Sequence, residues 1–514
     1  MYKLNYKRTI LVGFAFFLIS AFWQAYDATM PVILTNKFGM SQTVSGIIMA
    51  LDNVLAVFML PIFGALSDKS RSKFGKRTPF ITVGTVLAAV LLIGLSFVDS
   101  FQLKQIRTVS AIDDPAALTA IYETQSEKTL KTPEGVTFVL ADEFTLEEFT
   151  AITCEVEKDG KTVANEDYTN FVEPAREARV AEITAQNPAP VIFFISLLLL
   201  LLISMSLFRS PAVALMPDVT IKPLRSKGNA VINLMGTAGG ILVLVLGIVF
   251  AISKKRNALM SYTTYYIVIA ALMLAALVIF LLTVREKKWA KQMQDDSVRF
   301  GIEEAAEDTS VKRGLTKAEK LSLILILASI ALWYFGYNAV TSKYSIYAPK
   351  VLAKDYSTTM LLAQAAAIVA YLPAGMIASK IGRKKTILGG VVMLAAAFGV
   401  AAFLRADSPD MLMNAMFMLA GIAWATINVN SFPMVVEMCS GSDIGKYTGY
   451  YYTASMAAQI ATPVLSGFLM DTFSFTALFP YAAVCVALAF VTMFFVRHGD
   501  AKVEAKKGLE AFDD

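Results

Sequence analysis

The sequence predicts an all-α membrane protein of twelve transmembrane helices in two pseudo-symmetric six-helix bundles, with a small α/β module inserted on the extracytoplasmic side. Three observations carry this. Of 514 residues 56% are hydrophobic and only 17% charged, far to the apolar side of soluble domains. Nearly uncharged runs of 18 to 25 residues recur along the chain, and roughly 20 residues of helix cross about 30 Å of hydrocarbon. Finally, short matches recur between the two halves at offsets that obey a single rule.

The expected spans are 10–34, 44–66, 80–98, 191–208, 230–252 and 262–284, then 321–344, 358–378, 386–404, 411–434, 447–470 and 475–496. They must be helical, because an isolated strand in lipid leaves its amides and carbonyls unpaired. The first run, behind MYKLNYKRTI, is too long for a signal h-region and lacks a small-x-small cleavage site, so it is expected to remain as a span. Lys and Arg gather before it and in 69–77, 209–227, 285–320 and 380–385, which are alternate loops. The positive-inside rule then puts both termini in the cytoplasm of a bacterial-type plasma membrane. SKKRN, 253–257, is the one basic loop on the other side.

The expected domains are spans one to three (1–98), the module (99–190), spans four to six (191–284), a cytoplasmic linker (285–320), the second bundle (321–496) and a tail (497–514). The module holds 18 acidic and 8 basic residues against +5 for the whole chain, so the two signs of charge sit on opposite sides of the membrane. Within it, TCEVEKDGKTV reads as two strands around an Asp-Gly turn, and EPAREARVAEITAQ as a helix. Cys154, Cys439 and Cys485 lie too far apart for a disulfide framework or a metal cluster, and Cys154 reads as a free thiol. His498 is the only histidine. With no nucleophile–base pair, metal cluster or nucleotide motif, nothing points to an enzyme, a cofactor or a nucleic-acid partner.

The repeat decides the architecture. AFWQAYDA resembles ALWYFGYNA, with Trp23 and Trp333 offset by 310. GALSDKSRSKFGKR resembles GMIASKIGRKK, placing Gly64 with Gly375 and Gly75 with Gly382. Beyond the module the offset drops to 219, for Asp218/Lys227 and Glu437/Lys446, and the inserted residues account for nearly all of the drop.

Two halves that each carry G-x-x-x-(D/S)-K and then G-(R/K)-(R/K) between their second and third spans resemble the major facilitator superfamily. GALSDKSRSKFGKRTPFI together with RSPAVALMPDVTIKPLRSKGNAVINL is similar to the glycoside–pentoside–hexuronide:cation symporters, closest to their sucrose/proton symporter-like branch. The resemblance implies the major facilitator fold and secondary active transport of a mono- to small oligosaccharide glycoside with H⁺ or Na⁺. Where melibiose-type members carry two carboxylates in span two, this chain has Ala56 and Leu60, which favours H⁺. Rival functions are an efflux carrier for amphiphilic compounds and a non-transporting receptor whose outer module binds glycan. The partners are then sugar, a cation and lipid; the chain is expected to be monomeric, and the module's partner is open.

Asp27 and Asp52 are the candidate cation-coupling residues, since a carboxylate inside a span costs about 2.5–3.5 kcal/mol and usually faces a wet cavity or a partner. Sugars present hydroxyls on one edge and C–H faces on the other, so amides and aromatic platforms are the candidate ligands. These are Trp23, Gln24 and Tyr26 in span one, Asn53 in span two, Tyr334, Tyr337, Asn338 and Lys343 in span seven, Trp424, Asn428 and Asn430 in span ten, and Gln459 in span eleven. Asn428 and Asn430 cannot share a helical face, so at most one points at ligand. Lys343 either snorkels to the headgroups or pairs with Asp27. The resemblance also implies a cytoplasmic gate: Gly64, Asp68, Arg71, Gly75, Lys76 and Arg77, with Arg209, Asp218 and Arg225, and in the second half Gly375, Gly382, Arg383, Lys384, Glu437 and Lys446. In that gate Asp68 is expected to reach a cation or a helix N-terminus of the opposite half, while Ser379 in the second copy makes it asymmetric.

Overall fold

A computed structural model describes residues 4–158, 161–221, 224–299, 315–436, 438 and 444–499. Twelve long helices follow the expected spans. In the first half they are Tyr6–Val32, Gln42–Asp68, Thr78–Gln105, Ala189–Val219, Arg225–Val249 and Thr263–Thr283. In the second they are Lys317–Tyr347, Tyr356–Ile381, Arg383–Ala401, Asp410–Val436, Ile444–Thr472 and Leu478–Phe494. We call these spans one to twelve. All but span eight, which has 26 residues, are counted among eleven helices apolar and long enough to cross a membrane, and the chain is a multi-pass membrane protein. Apolar side chains such as Phe58, Val90, Ile192 and Leu282 stand more than half exposed around the bundle, where lipid rather than water is their solvent.

Local chemistry starts the helices where they start. Ser41 accepts Val44 N–H at the head of span two, Asp355 accepts Thr358 N–H at the head of span eight, and Thr316 with Glu319 forms a capping box ahead of span seven. Spans one and seven both end in a π-helical turn, Ile33–Lys37 and Ala348–Leu352, with a proline just ahead of the first (Pro31) and inside the second (Pro349). The matching turns extend the repeat beyond the motifs that revealed it.

Packing repeats as well. Span one lies on span five and span three on span four, as span seven lies on span eleven and span nine on span ten. The halves join through span two against span eleven and span five against span eight, which are the same contact under the repeat. Backbones touch at these joints. A Cβ on Gly46 would sit 2.0 Å from the Pro463 carbonyl oxygen, and one on Gly467 would sit 2.2 Å from that of Gln42. The small-residue stretch NLMGTAGGI does the same work inside the first bundle, with Gly239 against the Phe17 backbone.

The module is a folded unit with its own core, including Ile121, Phe138, Phe149 and Tyr168. Strands β1 (Thr129–Lys131) and β2 (Thr137–Val139) form one hairpin, and β3 (Glu155–Lys158) and β4 (Lys161–Ala164) the expected second one. The helix Glu173–Gln186 has the expected bounds. Cys154 is a buried free thiol.

One expectation changes. Asp99 is not the module's first residue but lies within span three, which runs on to Gln105. It is fully buried beside Lys37, whose Nζ approaches both carboxylate oxygens (2.6 and 2.7 Å) and the Met260 carbonyl (2.7 Å). A charge pair enclosed by helices does not end a span, and from sequence it looked like the onset of a polar segment. In the linker, Glu286–Arg299 is helical; 300–314 and 500–514, like Cys439, fall outside the described residues.

Candidate functional site

Spans one and two carry the two carboxylates. Asp27 and Asp52 are both partly buried and interact electrostatically with each other. Asp52 Oδ1 accepts the backbone N–H (2.5 Å) and side-chain Nδ2 (2.7 Å) of Asn53. The opposite charge that acts on it is Arg209 of span four. Arg209 was expected in the gate, but its guanidinium lies 5.6 Å from the centroid of the Trp23 ring. It stands ten residues, about 15 Å of helix, short of the end of span four. Arg209 therefore belongs with the intramembrane carboxylates, and only Asp218 stays at the helix end.

Opposite them, span seven and span ten build an aromatic wall. The Tyr337 and Trp424 rings stack with centroids 3.6 Å apart and planes 4° from parallel, and Tyr334 meets Trp424 edge-on at 5.3 Å. Trp23 packs edge-on to Tyr26 at 5.4 Å on the facing span. Between the halves runs an amide chain: Gln364 Nε2 donates to Gln24 Oε1 (2.7 Å), and Gln24 Nε2 donates to the Tyr356 hydroxyl (3.0 Å). Among the described residues, Trp23 Nε1, Tyr26 Oη and Asn338 Nδ2 are buried polar atoms without a hydrogen-bond partner. Buried donors in that state are uncommon and mark places where a ligand or water can bind.

The two asparagines of span ten separate as their spacing requires. Asn430 is buried and donates back to the Thr426 carbonyl (2.8 Å), while Asn428 bonds Tyr371 of span eight. Gln459 donates to the Ser455 carbonyl of its own helix (3.3 Å). Tyr356, Gln364 and Tyr371 were not among the expected residues. Gln364 carried a readable signal, a lone amide in the apolar run LLAQAAA, whereas Tyr356 precedes the expected span eight.

Lys343 neither snorkels nor pairs with Asp27. It is fully buried and donates to the Gln42 carbonyl (2.6 Å) at the head of span two. The same turn is held by Asp471 of span eleven, which accepts the N–H groups of Gln42 (2.8 Å) and Thr43 (2.7 Å). A cation and a carboxylate from the second half thus grip one helix end of the first, closing the bundle at the module's end.

At the opposite end the expected gate is a clasp within the first half. The Arg77 guanidinium contacts Asp68 (2.5 Å) and Asp218 (2.7 Å) and bonds the Ser67 hydroxyl. Burial works against its charge, yet Asp218 and Asp68 hold its pKa above the ordinary arginine value. Glu286, at the head of the linker helix, accepts the Arg77 and Thr78 N–H groups (2.9 and 2.8 Å). Asp68 does not reach the opposite half, because the halves meet at the module's end in this conformation. Gly64 and Gly75 sit where the chain packs tightly. A Cβ on Gly64 would crowd Ser210 of span four at 2.9 Å, and Gly75, at φ +129°, sits against the Glu286 carboxylate. Arg71 and Lys76 are exposed. In the second half Gly382 takes φ +94°, Gly375 makes only ordinary contact with Val429, Arg383 opens span nine, and Lys384 caps the end of span twelve through the Phe494 and Val496 carbonyls (2.8 and 2.6 Å). Glu437 and the side chains of Arg225, Ser379 and Lys446 lie outside the described residues.

The architecture is the major facilitator fold. The description "Major Facilitator Superfamily" matches residues 353–512, and "MFS/sugar transport protein" matches 11–105. The inward-open xylose transporter XylE from E. coli superposes with a TM-score of 0.56 at 14% identity, covering 99% of both chains. A D-xylose-proton symporter gives 0.56 at 14% over 96% of this chain and 99% of that one. The nucleoside transporter NupG gives 0.52 at 14% over 95% of this chain and 100% of that one. By sequence, 141 residues are 28% identical to the MFS-type transporter ppzB of Metarhizium rileyi and 30% to that of Metarhizium majus. The match covers 27% of this chain and 29% and 30% of those proteins, less than a third of their length. The two family matches fall in opposite halves of the chain, and the fold they sit in is that of the major facilitator superfamily.

Proposed function

We propose that this chain is a secondary active transporter that takes up a mono- to small oligosaccharide glycoside together with a proton, working as a monomer in the plasma membrane with both termini in the cytoplasm and the module outside. Within the superfamily its motifs fit the glycoside–pentoside–hexuronide:cation symporters. The observation that carries the reading is the central site. Both halves line it, with the Tyr337–Trp424 stack as a platform for the C–H face of a sugar ring and the Gln24–Gln364–Tyr356 chain as hydroxyl partners. Fold neighbours described as a xylose transporter and a D-xylose-proton symporter support a sugar.

Coupling falls to Asp27 and Asp52. With Arg209 close to Asp52, the three charges sum to −1 when both acids are ionised, and a proton neutralises the site before the halves rock around it. With the module outside, closure at its end corresponds to an inward-facing conformation, with the gate clasp of Arg77 confined to its own bundle.

The test is uptake by proteoliposomes under an imposed pH gradient across a panel of pentoses, hexoses and disaccharides. Saturable uptake of one class with stoichiometric alkalinisation outside supports the proposal. Uptake driven by Na⁺ alone removes the proton reading, and sugar binding without uptake supports the receptor instead.

A further inference from the structure

The module belongs covalently to the first half and is seated on it. Glu173 pairs with Lys255 of the span five–six loop (2.8 Å, both largely buried), which explains the one basic loop on this side. Gln102 of span three donates to Thr184 (3.0 Å), and Gly39, at φ +66°, lies against the Ala181 backbone. Whatever the first half does, the module moves with it.

Its far side grips the second half at three places, one of them a pair between Glu134 of the β1–β2 turn and Arg405 of the loop between spans nine and ten (3.7 Å). Lys131 Nζ, at the end of β1, donates to the Asp471 and Thr472 carbonyls (3.2 and 2.7 Å), the last of span eleven. Helix C-termini leave such carbonyls unpaired and favour a cation. The β1–β2 turn follows: Phe475 N–H donates to the Pro133 carbonyl (2.9 Å), and Gly135, at φ +92°, fits where a Cβ would stand 2.3 Å from the Phe473 carbonyl oxygen. At the remaining place Glu177 pairs with Lys350, in the π turn that ends span seven.

We propose that the inserted module is a staple across the two halves, which sets how readily this end of the protein opens. Lys131, Glu134 and Glu177 are its prongs. All three must let go when span eleven swings away from span two, and Asp471 links the events, because its carboxylate caps span two while its carbonyl takes Lys131. The inference rests on the rocking motion proposed above, but it concerns the conformational balance and not the cargo.

The experiment is pulsed electron–electron spin resonance on full-length protein in nanodiscs. Labels go on Phe101→Cys of span three and Met411→Cys of span ten, both exposed, with Cys439 and Cys485 replaced by Ser. The expected result is a longer-distance population whose ratio to the short one rises about tenfold in Lys131→Glu and in Glu177→Lys. The charge swap Glu177→Lys with Lys350→Glu returns the ratio to that of the parent. If a charge-reversed chain fails to elute as folded, Lys131→Ala and Glu177→Gln carry the same test with a smaller shift. Two populations with ratios unmoved by any variant overturn the staple alone. A single distance in the parent at every pH and sugar concentration overturns the alternating-access reading beneath it.

Discussion

Tyr337 of span seven lies flat on Trp424 of span ten, with ring centroids 3.6 Å apart. The pair comes from two helices of one bundle, while the candidate residues Trp23 and Gln24 of the other bundle come from span one. Trp424→Ala removes both the platform and the edge contact of Tyr334. Sugar affinity should fall about tenfold, from aromatic contacts of about 0.5–1.5 kcal/mol beyond area burial, with the melting temperature moving much less. Calorimetric titration in detergent checks it.

Asp27→Asn and Asp52→Asn should uncouple the cation from the cargo. Sugar counterflow between equal pools should persist in at least one variant, while proton-driven accumulation is lost in both. Measuring the two modes on the same vesicles decides it. Undiminished accumulation in both variants removes these carboxylates from coupling.

Asp471 holds the first turn of span two through two N–H groups. Asp471→Ala should cost about 1–2 kcal/mol, the usual price of a lost N-cap. Lys343 loses its neighbouring charge at the same time. The unfolding midpoint in detergent should drop, and Asp471→Asn should recover part of the loss because an amide oxygen still accepts.

Arg77 is buried, while Asp68 is mostly exposed and Asp218 about a third exposed. Arg77→Ala leaves the Ser67 hydroxyl and two carboxylates without their cation, and should destabilise the first bundle by about 2 kcal/mol. Asp68→Asn should cost well under 1 kcal/mol, as exposed pairs do. Because the clasp stays inside one half, the transport rate should follow stability in this series, which paired melting and uptake measurements will show.

Burial pushes the Cys154 thiol up to about 12, reinforced by the hydrogen bond it donates to Asp113 (3.1 Å). In the native protein Cys154 should resist iodoacetamide at pH 8, read by peptide mapping, and react fully once the chain is unfolded. A thiol whose pKa is raised on folding favours the folded module while it stays protonated. That contribution is whole below about pH 9, where the unfolded thiol begins to ionise, and is lost as pH climbs toward 12. Cys154→Ser should flatten the melting curve of stability against pH in that window.

The spans, the two halves and the strands and helix inside the module were legible because each rests on local pattern: apolar length, an Asp-Gly turn, a repeat offset. The central aromatic and amide residues were legible for a related reason, since polar groups inside apolar runs need an explanation. Partners were not. Arg209 opens the motif that suggested its role, and nothing local tells that it faces Trp23 and Asp52. Lys343 has a main-chain carbonyl as its acceptor, an atom that leaves no mark in the residue types. Lys255 reads as part of a basic loop, and Lys350 carries no local signal, until the carboxylates of the module are placed beside them. Such contacts span from 82 to more than 300 positions, and only the assembled fold brings them together.

The enclosed pair of Lys37 and Asp99 has a consequence for how the protein is made. The lysine leaves the ribosome 62 residues ahead of the carboxylate. Until span three follows, span one holds an unmatched ammonium near the end of its apolar stretch, and span three alone would hold an unmatched acid. Neither is at ease in lipid by itself. Release of span one into lipid is therefore disfavoured until span three arrives to match it, which ties the birth of the first bundle to the joining of its first and third helices.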